Sequence, residues 1–440
     1  MHPLVASLAR GRASLGALAA CTLLGSPAAF AGGMALTMQN GAHLGNAFSG
    51  AASAEDASTV YYNPAGLTFL EHGEVIAAAS YVMLDARFTN DGSTTAGLLP
   101  TPGSNGGDAG VDKLIPVAYM AYPISPTLTL GAGISAPFGL ATNYAPDWAG
   151  RYQALKSELV TMNASLALGW RVTPRLSLGL GIDHQSADAE LSNAIDLGLI
   201  AYGAGIAGFA PGSSDAVARI RGDDTTTGFN VGALVEITDG TRLGVHYRSR
   251  MEHALRGRVR FTDVAAPFAP VFSDQAVRAP LTLPEIFSLS VAHHLTPQLA
   301  IYADWSFWRW SRFRQLAIGF ENPATPDVTQ VHNWDDASIL SVGARWQRGD
   351  RLTLRAGLAY NETPVPDAEH RTARIPDSDR IWTCIGAGWQ FNAELHGEIG
   401  YAHLFMDDAR ITSNDGAGHL LVGRYKSSAN IVSAQLNWSY

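Results

Sequence analysis

The residues that close the chain alternate strictly between apolar and polar side chains. In "NIVSAQLNWSY" the apolar positions are Val432, Ala434, Leu436, Trp438 and Tyr440. Because successive side chains of a β-strand point to opposite faces, this period of two predicts a half-buried strand. Similar runs recur from residue 74 onward, separated by turn residues, whereas helical periodicity is scarce. The pattern therefore predicts an all-β chain.

The connections between these runs favour a closed barrel over a secreted sandwich. We count about fourteen candidate strands, from 74–88 to 423–440, an even number of the kind that bacterial outer-membrane barrels have. Brief turns are predicted at 173–175, 238–241, 296–298 and 348–351, and long loops at 187–225 and 262–281. Short turns alternating with long loops are typical of a transmembrane antiparallel β-barrel, which leaves no unpaired sheet edge in lipid. We expect the last strand to pair with the first, with Trp438 and Tyr440 in an interfacial aromatic girdle.

Composition excludes several other classes of protein. The chain is 47% hydrophobic and 16% charged, which fits neither a disordered protein nor a helical membrane protein. The net charge of -9 argues against a nucleic-acid partner. The segment 194–212 is long and mostly apolar but contains Asp196, glycines and a proline, so we interpret it as a helical loop excursion rather than a spanning helix.

The first residues have the features of an export signal. Arg10 and Arg12 precede an apolar run and the small-residue pattern that ends at Ala31, which predicts a signal peptide over residues 1–31. An alternative is a lipoprotein signal in which Cys21 is lipidated. Under the first interpretation the exported chain keeps one cysteine, Cys384, and a disulfide framework is excluded.

The segment 32–70 shows no alternation. It is rich in glycine, alanine and asparagine, too well supplied with turn residues for a tail and too small for a domain. We expect it to form a plug, or hatch, inside the barrel that residues 71–440 form.

This segment contains "GNAFSGAASAEDASTVYYNPA", which ends at Asn63, Pro64 and Ala65, and the motifs "APFGLATNYAPDWAGRYQA", "YRS", "LPE", "WSRF", "TPVPD" and "IPDSDRIW" follow it along the chain. The segment resembles the N-terminal hatch of FadL-type outer-membrane transporters, and the later motifs occur in that family's order. The resemblance implies a fourteen-stranded barrel, plugged by the hatch, for passive uptake of hydrophobic molecules across the outer membrane. Long-chain fatty acids are the expected cargo, and an aromatic hydrocarbon channel of the same family is the alternative.

The expected route follows from the chemistry of such cargo. Apolar loop surface in 194–212 is a candidate for capture, although it could equally pack against other loops. The hatch residues Asn63, Pro64 and Ala65, with Phe138 at or just past the end of the third candidate strand, 128–136, are candidates for gating. Pro137 interrupts that strand, because it lacks a ladder donor. In the family a kink of the third strand opens a lateral window, but we favour Pro137 as the end of the strand at the outer rim.

Ligand-binding candidates come from charged and aromatic residues. Arg151, followed by Tyr152, and Lys156 could meet a carboxylate head group. Family members that bind fatty acids have basic residues where this chain has Asn193 and Ala317, which makes a neutral cargo more plausible.

Two further groups fall within the barrel wall. In "DWSFWRWSRF" Trp308 and Trp310 share a face that can line the lumen, and Trp305 and Phe307 share the other. Four charged residues inside the wall need partners, and for them we favour a lumenal salt-bridge network over ligand contact. They are Arg248, Asp377, Asp379 and Arg380.

Enzymatic chemistry has little support in the sequence. His184 and Ser186 could serve an outer-membrane hydrolase, but no third orienting group is evident. A general porin is a further alternative, against which the hatch-like segment argues. We predict no enzyme activity, no metal and no cofactor; the expected partners are hydrophobic small molecules, outer-membrane lipid and lipopolysaccharide, and the barrel assembly machinery through the C-terminal strand.

Overall fold

The computed structural model describes residues 33–96 and 99–440, and it forms an antiparallel barrel of fourteen strands. The predicted signal peptide, residues 1–31, and Cys21 lie outside the described residues. Four strands are interrupted and continue in a second segment. In chain order the strands are Glu74–Asn90, Lys113–Ser125, Leu128–Ser135 with Gly139–Asn143, Lys156–Thr173, Leu176–Asp196, Asp215–Thr238, Thr241–Arg248 with Met251–Thr262, Gln275–Leu283 with Ile286–His294, Leu299–Trp308, Ala337–Arg348, Leu352–Asn361, Arg380–Gln390, Leu395–Met406 with Ala409–Asn414, and His419–Ser439.

The first and last strands close the barrel, as the sequence predicts. Glu74 lies opposite Ser439, and the pairing continues to Asn90 opposite Gly423. The Tyr440 amide donates to the Gly73 carbonyl at 2.8 Å, which ties the terminal aromatic to the start of the first strand. The side chains of Trp438 and Tyr440 are 43% and 50% exposed. This position at the outer wall agrees with the predicted aromatic girdle.

The outward face of the barrel is apolar around its middle. Leu166 is 65% exposed, Leu180 56% and Ile385 61%. In water such exposure would be costly, but it matches the lipid-facing band of an outer-membrane barrel. The inward positions between these residues are mostly buried against the N-terminal segment and the loops.

All four predicted short turns are confirmed. Between the fourth and fifth strands, for example, the turn consists of residues 174–175 alone. The two predicted long loops are too long. The fifth strand continues to Asp196, the sixth begins at Asp215, and the eighth begins at Gln275. The outward positions of these extensions carry charged side chains such as Glu190 and Arg221, so the apolar alternation that identifies the lower part of each strand is missing.

The N-terminal segment lies inside the barrel, as the predicted hatch should. It contains the short helices Gly41–Gly45 and Thr59–Tyr62 and the 3-10 helix Pro64–Phe69. The amides of Gly41 and Ala42 donate to Oε1 of Gln435 on the last strand at 3.0 and 3.2 Å. Polar groups of the wall therefore satisfy the free amides at the start of the first helix.

The segment 194–212 contains the predicted loop helix, Leu197–Gly203. Within residues 33–96 and 99–440, no helix is long and apolar enough to cross a membrane. Further short elements lie in the loops; they are the strand segments Thr94–Thr95, Leu99–Pro100, Gln315–Phe320 and Val328–Val331 and the 3-10 helices Ala266–Phe268 and Trp310–Arg312.

Candidate functional site

The third strand is broken inside the wall. It pairs with the fourth strand up to Ser135 opposite Asn163, and again from Gly139 opposite Val160. Three residues of the third strand, 136–138, therefore face two residues of the fourth, 161–162. The expectation that Pro137 ends the strand at the outer rim is wrong. One inserted residue, together with a proline that cannot donate to the ladder, bends the strand within the wall instead.

The bend opens a gap between the second and third strands. The second strand pairs with the third from Ala118 opposite Ile134 toward the periplasmic turn. Beyond that point its residues 113–117 pair with the first strand alone in the described part of the barrel. The wall there lacks a continuous ladder on one side.

The beginning of the hatch occupies the inner side of this bend. The Leu36 amide donates to the Pro137 carbonyl at 2.8 Å, and the Gly139 amide donates to the Met34 carbonyl at 2.8 Å. Gln39 also reaches the bend, where its side-chain amide donates to the Ala136 carbonyl at 2.9 Å. The hatch therefore satisfies backbone groups that the strand break leaves without ladder partners.

Aromatic side chains gather beside the bend. Phe138 is 1% exposed and lies edge-on to Trp308 and Trp310, with ring centroids 6.1 and 6.0 Å apart. The ring centroids of Trp310 and Trp334 lie 5.1 Å apart. Trp308 and Trp310 share the buried side, as predicted, and the predicted site residue Phe138 is brought together with them.

An apolar cavity lies inside the extracellular half of the barrel, next to this cluster. Its wall residues come from the third to eighth strands, and loop residues cover it. The apolar lining includes Met34, Leu140, Leu159, Leu191, Leu255, Leu281, Phe313, Leu316 and Ile318. Three polar residues also contribute to the lining: Glu158, whose side chain points the same way as outward Glu190 opposite it, His332 and Arg374. A largely apolar cavity with few polar groups is typical of a small-molecule site.

The three polar groups differ in how they are paired. Glu158 accepts hydrogen bonds from Lys113 at 2.6 Å and lies 2.8 Å from the Lys156 ammonium. Burial lowers the pKa of His332 to about 3, with the neighbouring Arg374 contributing, so this imidazole is neutral near pH 7.

Arg374 is a buried cation that meets neutral oxygens. Its Nη1 donates to Ser157 Oγ at 3.1 Å and its Nη2 to Asn193 Oδ1 at 3.3 Å. Within the described residues, no carboxylate lies within 4.0 Å of its guanidinium. Burial lowers its pKa to about 10, so the group is still charged at neutral pH. A buried charge without a counter-ion is costly, and it favours a site that takes an anionic group.

The predicted carboxylate contact Arg151 is already paired. It is 7% exposed, its Nε donates to Asp215 Oδ2 at 2.7 Å, and its Nη2 donates to the Tyr152 hydroxyl at 2.6 Å. Tyr152 donates to the other oxygen of Asp215 at 2.8 Å and stacks on His419. These residues tie loop to strand, and the structure places them outside the cavity lining.

The predicted hatch residues are anchored to the fifth, sixth and seventh strands. Asn63 Nδ2 donates to the carbonyls of Ala233 and Val245 at 3.3 and 3.2 Å, and its Oδ1 accepts from the Ala65 amide at 3.1 Å. Pro64 and Ala65 lie so close to Gly179 that a Cβ there would be 2.4 Å from the Pro64 carbonyl carbon and 2.2 Å from the Ala65 nitrogen. The three residues lie apart from Phe138 and the cavity lining.

The four predicted charges form two separate groups. Arg248 pairs with Asp183 at 2.7 Å and donates to the Tyr61 carbonyl of the hatch at 2.9 Å. Arg380 pairs with Asp377, whose Oδ2 accepts from the Gly33 amide at 2.9 Å. Asp379 accepts from the Tyr360 hydroxyl at 2.7 Å. Two of the four charges thus link wall to hatch.

Sequence reasoning missed Arg374 because it lies in a loop, within "RTARIPDSDR", where a charged residue is ordinarily solvated. It also missed a second ion-pair group that holds the hatch: Arg355 contacts both Glu55 of the hatch and Glu398 of the wall at 2.8 Å. Neither site has a local sequence signal, because each is assembled from distant segments.

Comparison with known proteins agrees with this architecture. Residues 22–440 match the model of a family described as "Outer membrane protein transport protein (OMPP1/FadL/TodX)". The chain belongs to this family. It is 29% identical to the long-chain fatty acid transport protein of Escherichia coli K12, over 91% of this chain and 93% of that protein. It is 28% identical to outer membrane protein P1 of Haemophilus influenzae, over 96% and 98%.

Solved structures of FadL relatives show the same fold. The crystal structure of a Pseudomonas aeruginosa FadL homologue matches with a TM-score of 0.84 at 26% identity, covering 93% of this chain and 99% of that one. The Pseudomonas putida toluene transporter TodX matches with a TM-score of 0.66 at 18% identity, covering 87% and 93%. The chain is therefore an outer-membrane transporter of hydrophobic compounds and not an enzyme.

Proposed function

We propose that this FadL-family protein carries long-chain fatty acids inward across the outer membrane. The observation that carries the proposal is Arg374, a buried cation in a largely apolar cavity, with neutral oxygens as its partners. An apolar lining suits an alkyl chain, and a guanidinium suits the carboxylate at its end. Fatty-acid-binding members of the family have a basic residue at the position of Asn193. Here Asn193 accepts a hydrogen bond from Arg374, and on this proposal the Arg374 guanidinium takes the place of that basic residue in carboxylate recognition.

The relatives support the same cargo. Proteins of Escherichia coli that are 28–29% identical over most of the chain are named long-chain fatty acid transport proteins.

We assign residues 1–31 to an export signal, 32–70 to the hatch and 71–440 to the barrel.

Exit follows the break in the third strand. Phe138 and the hatch residue Ala35 form a bridge at the bend, beside the gap between the second and third strands. A cargo that leaves the cavity here enters the apolar part of the bilayer sideways, without crossing the hatch. Capture outside would use the apolar helix Leu197–Gly203, in which Tyr202 is 61% exposed, and the loop residues beside it.

An aromatic hydrocarbon is the second candidate cargo. The cluster of Phe138, Trp308, Trp310 and Trp334 beside the bend offers ring faces and edges that suit a flat apolar molecule. These four side chains include no cation that would pair with a carboxylate.

Binding of three ligands to the purified full-length protein tests the proposal. Oleate, oleyl alcohol and toluene are titrated in the same detergent, and uptake of labelled oleate and toluene is measured in cells without their own transporter. We expect oleate to bind at least about tenfold more tightly than the alcohol, since one charge-assisted contact is worth about this factor. Equal affinity for oleate and alcohol, with uptake of toluene alone, would replace fatty acids by aromatic hydrocarbons.

A further inference from the structure

The inner face of the sixth, seventh and eighth strands lines the cavity. The outward face of the same strands carries six arginines. They form three pairs directly opposite one another across neighbouring strands. The pairs are Arg221 with Arg258, Arg219 with Arg260, and Arg256 with Arg278. All six side chains are exposed. This concentration of positive charge occurs in a chain whose net charge is -9.

Such pairing is unfavourable without an anion. Residues directly opposite in an antiparallel sheet have Cβ atoms about 5 Å apart, and like charges there are destabilising. Arg221 and Arg219 lie 3.0 and 3.7 Å from Glu190, which also binds Lys156. One carboxylate is thus shared among three cations.

The remaining four arginines lack even this compensation. Within residues 33–96 and 99–440, none of Arg256, Arg258, Arg260 and Arg278 has a carboxylate oxygen within 4.0 Å. Asp223 lies opposite Arg256 on the same face, without reaching that distance. The face therefore keeps several guanidiniums free to donate hydrogen bonds outward.

The height of this face indicates which anion it meets. On the sixth strand the outward residues Phe229 and Val231 are 47% and 38% exposed and belong to the lipid-facing band. Arg221 is on the same side of that strand, and at about 3.3 Å per residue and a tilt of about 40° it lies on the order of 20 Å beyond Phe229. In a lipopolysaccharide leaflet, a face this far beyond the lipid-facing residues stands at the level of the sugars rather than of the acyl chains.

We propose that these three strands bind the phosphorylated and carboxylated inner-core sugars of lipopolysaccharide in the surrounding outer leaflet. Each arginine pair holds one phosphate or carboxylate, to which two planar guanidiniums donate. The anion neutralises the like-charge pairs and fixes the barrel in its lipid environment. The site is on the outside of the wall and is independent of the cargo that the lumen carries.

The test compares lipopolysaccharide binding by the intact protein and a triple variant, Arg256→Gln, Arg258→Gln and Arg260→Gln, which removes one member of each pair. Three probes are titrated: lipopolysaccharide with a phosphorylated inner core, deep-rough lipopolysaccharide without core sugars, and phosphatidylglycerol vesicles. We expect the first to bind about tenfold more tightly than the other two, and the triple variant to lose about tenfold toward it.

The control removes three exposed arginines elsewhere on the protein through Arg87→Gln, Arg309→Gln and Arg424→Gln. Each of these three already has a carboxylate partner. The control should change binding less than about twofold, and the corresponding three lysine substitutions on the seventh strand should retain only part of the affinity, since they keep the charge but lose the planar guanidinium. Heat-modifiable gel mobility shows that each barrel is folded; if the triple variant is not, Arg258→Gln alone should lose about threefold. Equal binding of the deep-rough form, equal loss in the control, or no loss in the folded variant would each overturn the proposal.

Discussion

Replacement of Arg374 by methionine should separate carboxylate recognition from apolar binding. Methionine fills a similar volume but removes a cation that donates to neutral Ser157 and Asn193 oxygens. If the cation holds the cargo carboxylate, the substitution removes a charge-assisted hydrogen bond worth about 1.5 to 3 kcal/mol. That free energy corresponds to a loss of roughly tenfold to 150-fold in oleate affinity.

The assay is titration of the purified variant with oleate and with oleyl alcohol. The affinity for the alcohol should stay within about twofold, because the apolar lining is unchanged, so the preference for oleate disappears. The matched control is Arg410→Met, an exposed arginine on the extension of the thirteenth strand. Unchanged oleate affinity, or an equal loss for acid and alcohol, would refute the assignment of Arg374.

Three other changes test the wall and the hatch. Deletion of Pro137 removes the inserted residue of the third strand, lets the ladder continue and should lower oleate uptake to background while oleate binding persists, as measured by transport and by titration. Arg355→Met leaves the carboxylates of Glu55 and Glu398 buried without their shared partner, and we expect about 3 to 5 kcal/mol less stability, measured as a lower urea midpoint. Gly179→Ala places a Cβ against the hatch backbone and should displace the hatch, which would raise ion conductance of the reconstituted barrel.

Each of these changes has a control in the same molecule. Pro137→Ala keeps the inserted residue and should keep uptake, so a loss there would contradict the register argument. Arg348→Met removes an exposed arginine, and an equal shift of the midpoint would count against the buried pair. A Cβ added by Gly203→Ala would have no atom within 4 Å. If this variant raised the conductance as much as Gly179→Ala does, hatch displacement would not be the cause of the rise.

The sequence identified the lipid-facing part of the fold from local pattern alone. The alternation ending at Trp438 and Tyr440, the short turns and the absence of a long apolar run predict a closed barrel, because lipid exposure requires apolar side chains at every second residue. The prediction loses accuracy where this requirement ends. Beyond the membrane the outward positions near Glu190 and Arg221 are charged, and the strands were predicted too short there.

The site was predictable in part. Phe138, Trp308 and Trp310 stand in recognisable motifs and do lie together. Arg151, by contrast, uses all three guanidinium nitrogens to donate to Asp215, the Pro102 carbonyl and the Tyr152 hydroxyl. Whether a charged residue is paired, solvated or buried alone depends on chain segments that are remote in sequence, and no local pattern encodes it.

The sequence by itself determined that this chain forms an outer-membrane barrel with a segment to fill it, because period and composition report which solvent each face meets. The tertiary structure decided where the wall is broken, which cation is left without a counter-ion and which arginines stand opposite one another. These features depend on strand register and on loops folding back into the barrel. The structural role of the inserted residue at Pro137, and of a loop residue such as Arg374, depends on the partners that the closed barrel places beside it.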